Sequence, residues 1–234
     1  MTGSFKFDVA RRAPEKEKLA AATLARLDMG EGRTVLMGGS TWPGEEEILL
    51  DIHKRLSPSY PDLRLVLVPR HFERGAEVEA AIEKAGFACV RKSRLDAGDE
   101  PKATGAGAVL LVDTTGEMMG FYGNARIAFV GKSITEHGAQ NMIEPCLCGK
   151  PTVVGPYTEN FRPVMSDLLA SQALVQVPDE AALQREIIRF FDDPAARAAQ
   201  GTRATQAVQR RCGVVGRCAD ELLKALGYSS KEST

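Results

Sequence analysis

Residues 34–56 contain a complete strand, loop and helix pattern: TVLMGGSTWPGEEEILLDIHKRL. The apolar run at its start predicts a buried β-strand. Beyond the loop, apolar residues recur at helical spacing: Ile48, Leu49, Ile52 and Leu56. Pro43 precedes this stripe, and proline fits a first helical turn because the N–H that it lacks would have no partner there. The stretch therefore predicts a strand followed by a helix.

The same alternation continues along the chain, where amphipathic or alanine-rich segments separate further apolar runs: LRLVLVP, FACV, AVLLVD, RIAFVG, TVVG and ALVQV. Repeated βα units predict a parallel sheet. The continuous apolar character of residues 109–112 indicates strands covered by helices on both faces. The prediction is one doubly wound, Rossmann-like α/β domain over residues 14–227, with a sheet of about six strands.

After about residue 178 the strand pattern stops, and three helices are expected to finish the chain. Two apolar stripes support the helices of this region: Leu183, Ile187, Ile188 and Phe191, then Val215, Cys218, Leu222 and Leu226. The polar composition of residues 228–234 predicts a flexible tail.

Composition excludes several classes of function. The 30 basic and 31 acidic residues give a formal charge of -1, so no net field attracts nucleic acid or anionic lipid. The sequence has neither an apolar run of about eighteen residues nor a signal-peptide pattern. The five cysteines lack CxxC pairs, which favours reduced core thiols. We expect a soluble, cytoplasmic chain without a membrane span.

Ligands of open α/β sheets bind at the carboxyl ends of the strands, so the loops after the strands are the candidate sites. The first such loop offers glycines for close approach and the hydroxyls of Ser40 and Thr41, which could hold a phosphate or a carboxylate. Alternatively, one hydroxyl caps the next helix while Glu45, Glu46 and Glu47 stabilise its first turn. The GxG at residues 105–107 precedes a strand instead of following it, so it is not a dinucleotide fingerprint.

Two further loops carry polar residues. After the second strand, Pro69 stiffens the exit, and Arg70 with His71 either points into the crevice, where a guanidinium suits phosphate or a base, or is simply solvated. After the fourth strand, Asp113 begins a segment that a turn and a helix start explain without a ligand. Because no second carboxylate stands at DxD spacing and no histidine joins it, we expect no metal.

The loop after the fifth strand, HGAQNMIEP at residues 137–145, is unusual for the start of a helix. Asn141 and Glu144 have the spacing of a capping box, yet Pro145 would then remove an early helical donor. A start near Pro145 instead leaves Glu144 facing the crevice. Its carboxylate could accept hydrogen bonds from the vicinal hydroxyls of a ribose while backbone groups hold a phosphate. Sugar nucleotides present both groups.

Segments in this order resemble one protein family: TGSFKFD (2–8), GGSTWPGEEE (38–47), LVPRHFER (67–74), DTTGEM (113–118), FVGKS (129–133), HGAQNMIEP (137–145) and GKPTVVGPYTENF (149–161). Together they resemble the carboxyl-terminal half of the 3-deoxy-D-manno-octulosonic acid (Kdo) transferases. These are two-domain GT-B glycosyltransferases that move Kdo from CMP-Kdo to the lipid A precursor of lipopolysaccharide. The resemblance covers roughly residues 2–177.

The resemblance implies roles for matching positions. Lys6 would be the catalytic cation that stabilises the transition state. The residues expected to bind CMP or CMP-Kdo are Ser40, Thr41, Pro69, Arg70, His71, Gly116, Glu117, Met118, Lys132, Ser133, Gly138, Gln140, Asn141, Met142, Ile143 and Glu144. Departure of cytidine monophosphate gathers negative charge, which fixed dipoles and cations stabilise without a cofactor or metal.

Two residues depart from the family pattern. Lys132 and Gln140 stand where the family commonly reads GGS and GGHN. Lysine adds a cation, whereas glutamine keeps a hydrogen-bonding group that cannot take up a proton. We therefore expect no acid catalysis from position 140.

Residues 1–13 resemble the segment that joins the two domains, so the amino-terminal acceptor domain, with the general base, is expected to be missing from the chain. The resemblance implies that the full protein acts at the cytoplasmic face of the bacterial inner membrane. We expect the 234-residue chain to bind CMP weakly and to be inactive alone. Two alternatives stay open: part of another GT-B enzyme or epimerase that uses a UDP-sugar, and a non-catalytic nucleotide-binding module.

Overall fold

Seven parallel strands form one sheet in the computed structural model, which describes Phe7 and residues 12–212. The strands are β1 (Thr34–Thr41), β2 (Leu63–Pro69), β3 (Ala88–Arg91), β4 (Ala108–Leu111), β5 (Ile127–Val130), β6 (Thr152–Val154) and β7 (Val175–Gln176). Their order is β3-β4-β2-β1-β5-β6-β7. The predicted fold class is confirmed. The sheet has one strand more than the predicted number of about six because the short β7 adds to the edge of β6.

Helices cover both faces of this sheet. In the described part of the chain they are α1 (Pro14–Arg26), α2 (Glu45–Leu56), α3 (Gly75–Ala85), α4 (Lys92–Asp96), α5 (Met118–Asn124), α6 (Ile143–Leu147), α7 (Arg162–Ala170), α8 (Glu180–Asp192) and α9 (Pro194–Arg211). Three 3-10 turns lie at Phe72–Arg74, Gly105–Gly107 and Glu159–Phe161.

The core explains the continuous apolar runs. Every residue of β2 and of β4 is buried. On one face these strands pack against α2, α3 and α8, and on the other against α1 and α5. A third cluster joins the ends of β5 and β6 to α6, α7 and α9. Strands enclosed in this way have no solvent-facing side, so polar and apolar residues do not alternate in them.

The predicted helical stripes face this core as far as the structure describes them. Ile48, Leu49, Ile52 and Leu56 are all buried, which confirms the first stripe. In α8, Leu183 and Ile187 are fully buried, while Ile188 and Phe191 are half-buried and Phe190 takes the third inner position. The stripe from Val215 to Leu226 lies outside the described residues. Two helices, α8 and α9, follow residue 178 within the described part.

The start of α2 differs from the prediction. Pro43 was expected in the first helical turn, but the helix begins at Glu45 and its N-cap is Gly44, which has a φ of 89°. This left-handed conformation favours glycine, so the chain turns at Gly44 and enters the helix two residues after the proline.

Three of the predicted core thiols are buried: Cys89, Cys146 and Cys148. Burial raises the pKa of Cys89 and Cys146 to about 12 and that of Cys148 to about 11. Within the described ranges, no helix combines the length and the apolar character needed to cross a bilayer.

Candidate nucleotide site

The strand order places a crevice at the carboxyl ends of β1 and β5. β1 pairs with β2 on one side and with β5 on the other, so the loops after β1 and β5 leave the sheet in opposite directions. Two glycines allow the backbones to approach there. A side chain on Gly39 would collide with the Tyr122 ring, and one on Gly131 would collide with the carbonyl oxygen of Ser40.

The two hydroxyl groups at the end of β1 already have protein partners. The Thr41 hydroxyl donates to Glu46 Oε1 at 2.7 Å, and Glu46 forms a buried ion pair with Arg74 at 2.8 Å. The Ser40 hydroxyl lies 3.3 Å from the sulfur of Met118. Neither hydroxyl caps α2, so that alternative is wrong. Ser40 and Met118 nevertheless lie side by side at the crevice.

Glu45 joins the loops after β1 and β5. Its Oε2 accepts the backbone N–H groups of Trp42 and Lys132 at 2.9 and 2.8 Å. Its Oε1 accepts those of Ser133 and Ile134 at 2.9 and 3.2 Å. The residue is fully buried, and burial raises the pKa of its carboxyl while the four N–H bonds oppose that rise. The sequence pattern predicts only a helix-stabilising role for Glu45 and does not reveal this link.

The loop after β2 brings Arg70 to the same crevice. Pro69 is buried beside Thr41, and the Arg70 N–H donates to the Thr41 carbonyl at 3.0 Å. The Arg70 side chain is exposed. Its positive charge lowers the pKa of the Glu144 carboxyl.

An aromatic and cationic cluster forms beside Arg70. The rings of Trp42 and His71 meet edge to face, with their centroids 5.6 Å apart. The Lys132 ammonium lies 4.3 Å from the centroid of the Trp42 ring, a distance typical of a cation–π contact. The sequence analysis predicted His71 and Lys132 but not Trp42. No local pattern singles out Trp42, because its neighbours come from two distant loops.

The acidic groups after β4 bind to residues of the protein. Asp113 accepts hydrogen bonds from Arg91 at 2.7 Å and from the Ser93 hydroxyl at 2.6 Å. Glu117 pairs with Lys92 at 3.3 Å and also contacts the Thr114 hydroxyl. These contacts turn the Asp113 and Glu117 carboxylates towards α4.

Lys16 in α1 holds the same loop from the other side. Its ammonium donates to the carbonyl oxygen of Gly116 at 2.7 Å. Gly116 has a φ of 80°, so glycine suits this turn. A role of Gly116 beside a nucleotide stays a prediction.

Three non-glycine residues at the crevice have left-handed backbones: Ser40 with a φ of 53°, Lys132 with 56° and Ala139 with 58°. The Ala139 N–H donates to the Lys132 carbonyl at 2.6 Å, so two of them support each other directly. Such conformations cost about 1–3 kcal/mol each and cluster at functional sites. The backbone is therefore strained where the candidate site lies.

Several predicted residues contribute structure rather than an open side chain. The buried Ser133 hydroxyl donates to the Val130 carbonyl at 2.6 Å and accepts the Gly155 N–H at 2.9 Å. Met142 and Ile143 are fully buried in the core. Gly138 packs against the side chain of Asn160. These residues therefore have structural roles.

The helix after β5 begins at Ile143, with Met142 as its N-cap. A capping box with Asn141 as the N-cap is therefore wrong. Pro145 lies in the first turn, where the lack of an N–H costs no helical bond. The Asn141 side chain accepts the Ile143 N–H at 3.2 Å and donates to Glu144 Oε1 at 3.1 Å. The helix has only five residues, so its dipole is small.

Glu144 is left with one unused acceptor. Its Oε2 is buried and has no hydrogen-bond partner among the described residues. Burial raises the pKa of its carboxyl, while Asn141 and Arg70 lower it. A buried carboxylate oxygen without a donor is costly, and such exceptions call for an explanation. The structure thus contains an acceptor that a ligand hydroxyl could fill.

Two further predicted site residues are Gln140 and Lys6. The Gln140 N–H donates to the Gly131 carbonyl at 3.0 Å, which fixes the backbone between Lys132 and Glu144. Lys6 lies outside the described residues. No group of three or more His, Cys, Asp and Glu side chains in the described ranges could hold a metal ion, and catalysis without a metal stays a prediction.

Comparisons with known proteins identify relatives of the chain. No protein-family model matches it. It is 34% identical over 230 residues to a 3-deoxy-D-manno-octulosonic acid transferase of Bordetella pertussis, covering 97% of the chain and 52% of that protein. It is 32% identical over 224 residues to the enzyme of the same name from Haemophilus influenzae, covering 95% of the chain and 50% of that protein. The chain thus spans about half the length of these curated relatives.

A solved structure shows which part of such proteins the chain resembles. The C-terminal CMP-Kdo binding domain of WaaA from Acinetobacter baumannii is similar to this chain with a TM-score of 0.75 and 27% identity. The match covers 84% of this chain and 100% of that domain. In sequence and in fold the chain therefore matches the carboxyl-terminal half of the 3-deoxy-D-manno-octulosonic acid transferases.

Proposed function

We propose that the crevice binds the cytidine monophosphate part of CMP-Kdo. The complete protein then transfers Kdo from this donor to the lipid A precursor of lipopolysaccharide. The main support for this proposal comes from Glu144. Its buried Oε2 has no donor among the described residues, and the charge of Arg70 lowers the pKa of its carboxyl.

The ribose is assigned to Glu144. Asn141 occupies Oε1 of the carboxylate and so orients the side chain, which leaves Oε2 for a ligand. An ionised carboxylate only accepts hydrogen bonds, and the vicinal hydroxyls of a ribose are donors at suitable spacing. Binding of a ribose would supply the partner that the buried oxygen lacks.

The phosphate is assigned to the cationic side of the crevice. Arg70 is exposed there and can form two parallel hydrogen bonds to phosphate oxygens. Lys132 adds a second positive charge from the loop after β5. The Ser40 hydroxyl lies at the same crevice, beside Met118.

The chemistry requires mainly the placement of charge. As the bond from Kdo to CMP breaks, the sugar becomes oxocarbenium-like and the phosphate gains negative charge, which fixed cations and dipoles stabilise. Arg70 and Lys132 can do so in the described part, and the family resemblance assigns Lys6 the same task. Gln140 takes no part in proton transfer because an amide has no basic nitrogen. Attack from the opposite face inverts the anomeric carbon.

The chain alone is expected to bind without catalysing transfer. Its relatives are about twice as long, and two-domain enzymes commonly complete their site when the cleft between the domains closes. We assign the general base and the lipid A precursor to the remainder of such a protein, at the cytoplasmic face of the inner membrane. Detection of Kdo transfer by residues 1–234 alone would contradict this assignment.

A calorimetric titration with CMP, CDP, UMP and UDP tests the proposal. We expect CMP to bind more tightly than CDP and UDP because the site offers one phosphate-binding side, and more tightly than UMP because the family resemblance implies a cytidine donor. Glu144→Gln should weaken CMP binding, and Glu136→Gln, which changes an exposed glutamate of the same loop, should not. A preference for UDP would instead support an enzyme that uses a UDP-sugar, and no binding of any nucleotide would contradict the proposal.

A further inference from the structure

The loop after β5 contains an anion-binding arrangement that is already filled. The successive N–H groups of Lys132, Ser133 and Ile134 all donate to the carboxylate of Glu45. Consecutive N–H groups that converge after a left-handed residue form a nest, which binds anions in many phosphate sites. Here the anion is a side chain of the protein, supplied by the first residue of α2.

This arrangement fixes a residue of the candidate site. Lys132 has a left-handed φ of 56°, a conformation that a lysine does not adopt without support. Glu45 holds the Lys132 N–H at 2.8 Å, and Ala139 holds its carbonyl at 2.6 Å. With both sides of the backbone held, the Lys132 side chain extends over the ring of Trp42. The N–H of Trp42 binds to the same carboxylate.

We propose that Glu45 is a positioning residue, an internal anion that shapes the Lys132–Ile134 turn and aims the Lys132 ammonium at the ligand. The inference rests on the proposed nucleotide function for its effect on binding, but its structural part can be tested without a nucleotide. It also excludes residues 132–134 as the backbone cradle of the ligand phosphate, since Glu45 occupies their N–H groups. The phosphate then depends on side chains, above all Arg70 and Lys132.

The test is chemical rescue of Glu45→Ala. Removal of the side chain empties the nest, and formate is a carboxylate small enough to refill it. Trp42 is the only tryptophan of the chain, so its fluorescence reports directly on the Lys132 contact. We expect Glu45→Ala to change the Trp42 emission and to weaken CMP binding at least about tenfold, because a charge-assisted hydrogen-bond set is lost. Added formate should restore both the Trp42 emission and the affinity for CMP, with an effect that saturates as the formate concentration rises.

Two controls separate positioning from general destabilisation. Chloride at the same ionic strength should restore neither signal, because a sphere cannot bridge the donors as a carboxylate does. Glu47→Ala changes an exposed glutamate in the same helical turn and should leave emission and CMP affinity as they are. All measurements are made at a temperature at which circular dichroism shows the variant to be folded.

Glu45→Gln covers the case in which Glu45→Ala fails to fold. The side-chain amide of glutamine accepts hydrogen bonds only through its oxygen. Its NH2 group therefore faces two of the backbone N–H donors that the carboxylate had bound. We expect two of the four clamped amides to lose protection from hydrogen exchange. Native-like protection of all four amides would overturn the inference.

The outcomes distinguish the inference from the proposed function. A folded Glu45→Ala variant with native emission, or one whose altered emission formate does not restore, overturns the role of Glu45. If the unaltered protein binds no CMP, the proposed function fails, and the emission and exchange measurements still decide whether Glu45 positions Lys132.

Discussion

Two carboxylates at the crevice, those of the buried Glu45 and the half-buried Glu144, differ in how their oxygens are used. Glu45 accepts four backbone N–H bonds, so both of its oxygens are occupied by the protein. Glu144 accepts one bond from Asn141, and its second oxygen has no partner among the described residues. Burial alone therefore does not distinguish a structural acid from a binding acid. The number of unfilled acceptors does.

The largest expected effect is on stability at Glu45. Glu45→Gln should lower the free energy of unfolding by about 3 kcal/mol, because two buried N–H donors lose their acceptor. For a domain of this size that corresponds to a melting temperature lower by roughly 6–12 °C. Thermal unfolding followed by circular dichroism measures it, with Glu47→Gln as the exposed control. If Glu45→Gln and Glu47→Gln had the same melting temperature, Glu45 would not be a structural acid and would not differ from Glu144 in this respect.

Glu144→Gln should show the opposite pattern. We expect CMP affinity to fall about tenfold, the loss expected for a hydrogen bond to a charged group. Stability should not fall, because burial raises the pKa of this carboxyl and its ionised form therefore destabilises the fold above that pKa. Calorimetry and thermal unfolding on one sample test both statements. A variant that loses stability and keeps its affinity would make Glu144 a second structural acid.

The raised pKa of Glu144 also predicts a pH dependence. As pH falls towards the ordinary glutamate value of about 4.3, Glu144 becomes protonated early and loses an acceptor, so CMP affinity falls. In Glu144→Gln the nucleotide still titrates but residue 144 does not. The difference between the pH profiles of CMP affinity in the unaltered protein and in this variant therefore reports the protonation of Glu144. Arg70→Ala removes a charge that lowers this pKa, so the loss of affinity should begin at a higher pH. Identical pH profiles of CMP affinity in all three proteins would contradict a contact between Glu144 and the ligand.

The smallest effect concerns the strained backbone that Glu45 supports. At most positions glycine is less stable than alanine, but Lys132 has a left-handed φ of 56°. Lys132→Gly should therefore be more stable than Lys132→Ala by about 1 kcal/mol. Urea unfolding measures the difference. The same pair at Lys54, in the exposed face of α2, should show the ordinary order. If the alanine variant were the more stable one at Lys132 as well, the backbone of this turn would not be strained.

The fold was predictable because its signals are local. A strand covered on both faces needs a continuous apolar run, and residues 109–112 provide one that the structure buries completely. The start of α2 was placed wrongly because Pro43 and Gly44 are the central residues of a turn, in which the Glu45 N–H donates to the Trp42 carbonyl before the helix begins. The apolar run ALVQV did mark the extra strand β7, but only two of its residues join the sheet, and the predicted count of about six was one too low.

The site was predictable only in part. The loops that carry Arg70 and Glu144 were found because parallel strands deliver their ends to one edge of the sheet. The role of Glu45 was missed because sequence does not show that two of the three adjacent acids, Glu45 and Glu46, are buried. Its position three and four residues before Ile48 and Leu49 was the available signal, since such residues share a helical face. The partners of Trp42 come from distant loops, and no local pattern reveals them.

The most direct test of the account is a cycle of two proteins and two ligands. CMP and its dideoxy analogue, which lacks both ribose hydroxyls, are titrated into the unaltered protein and into Glu144→Gln. The account predicts that removal of the hydroxyls weakens binding to the unaltered protein about tenfold and adds little in the variant. Equal binding of both ligands to the unaltered protein, or the same preference in the variant, would contradict the claim that Glu144 receives the ribose.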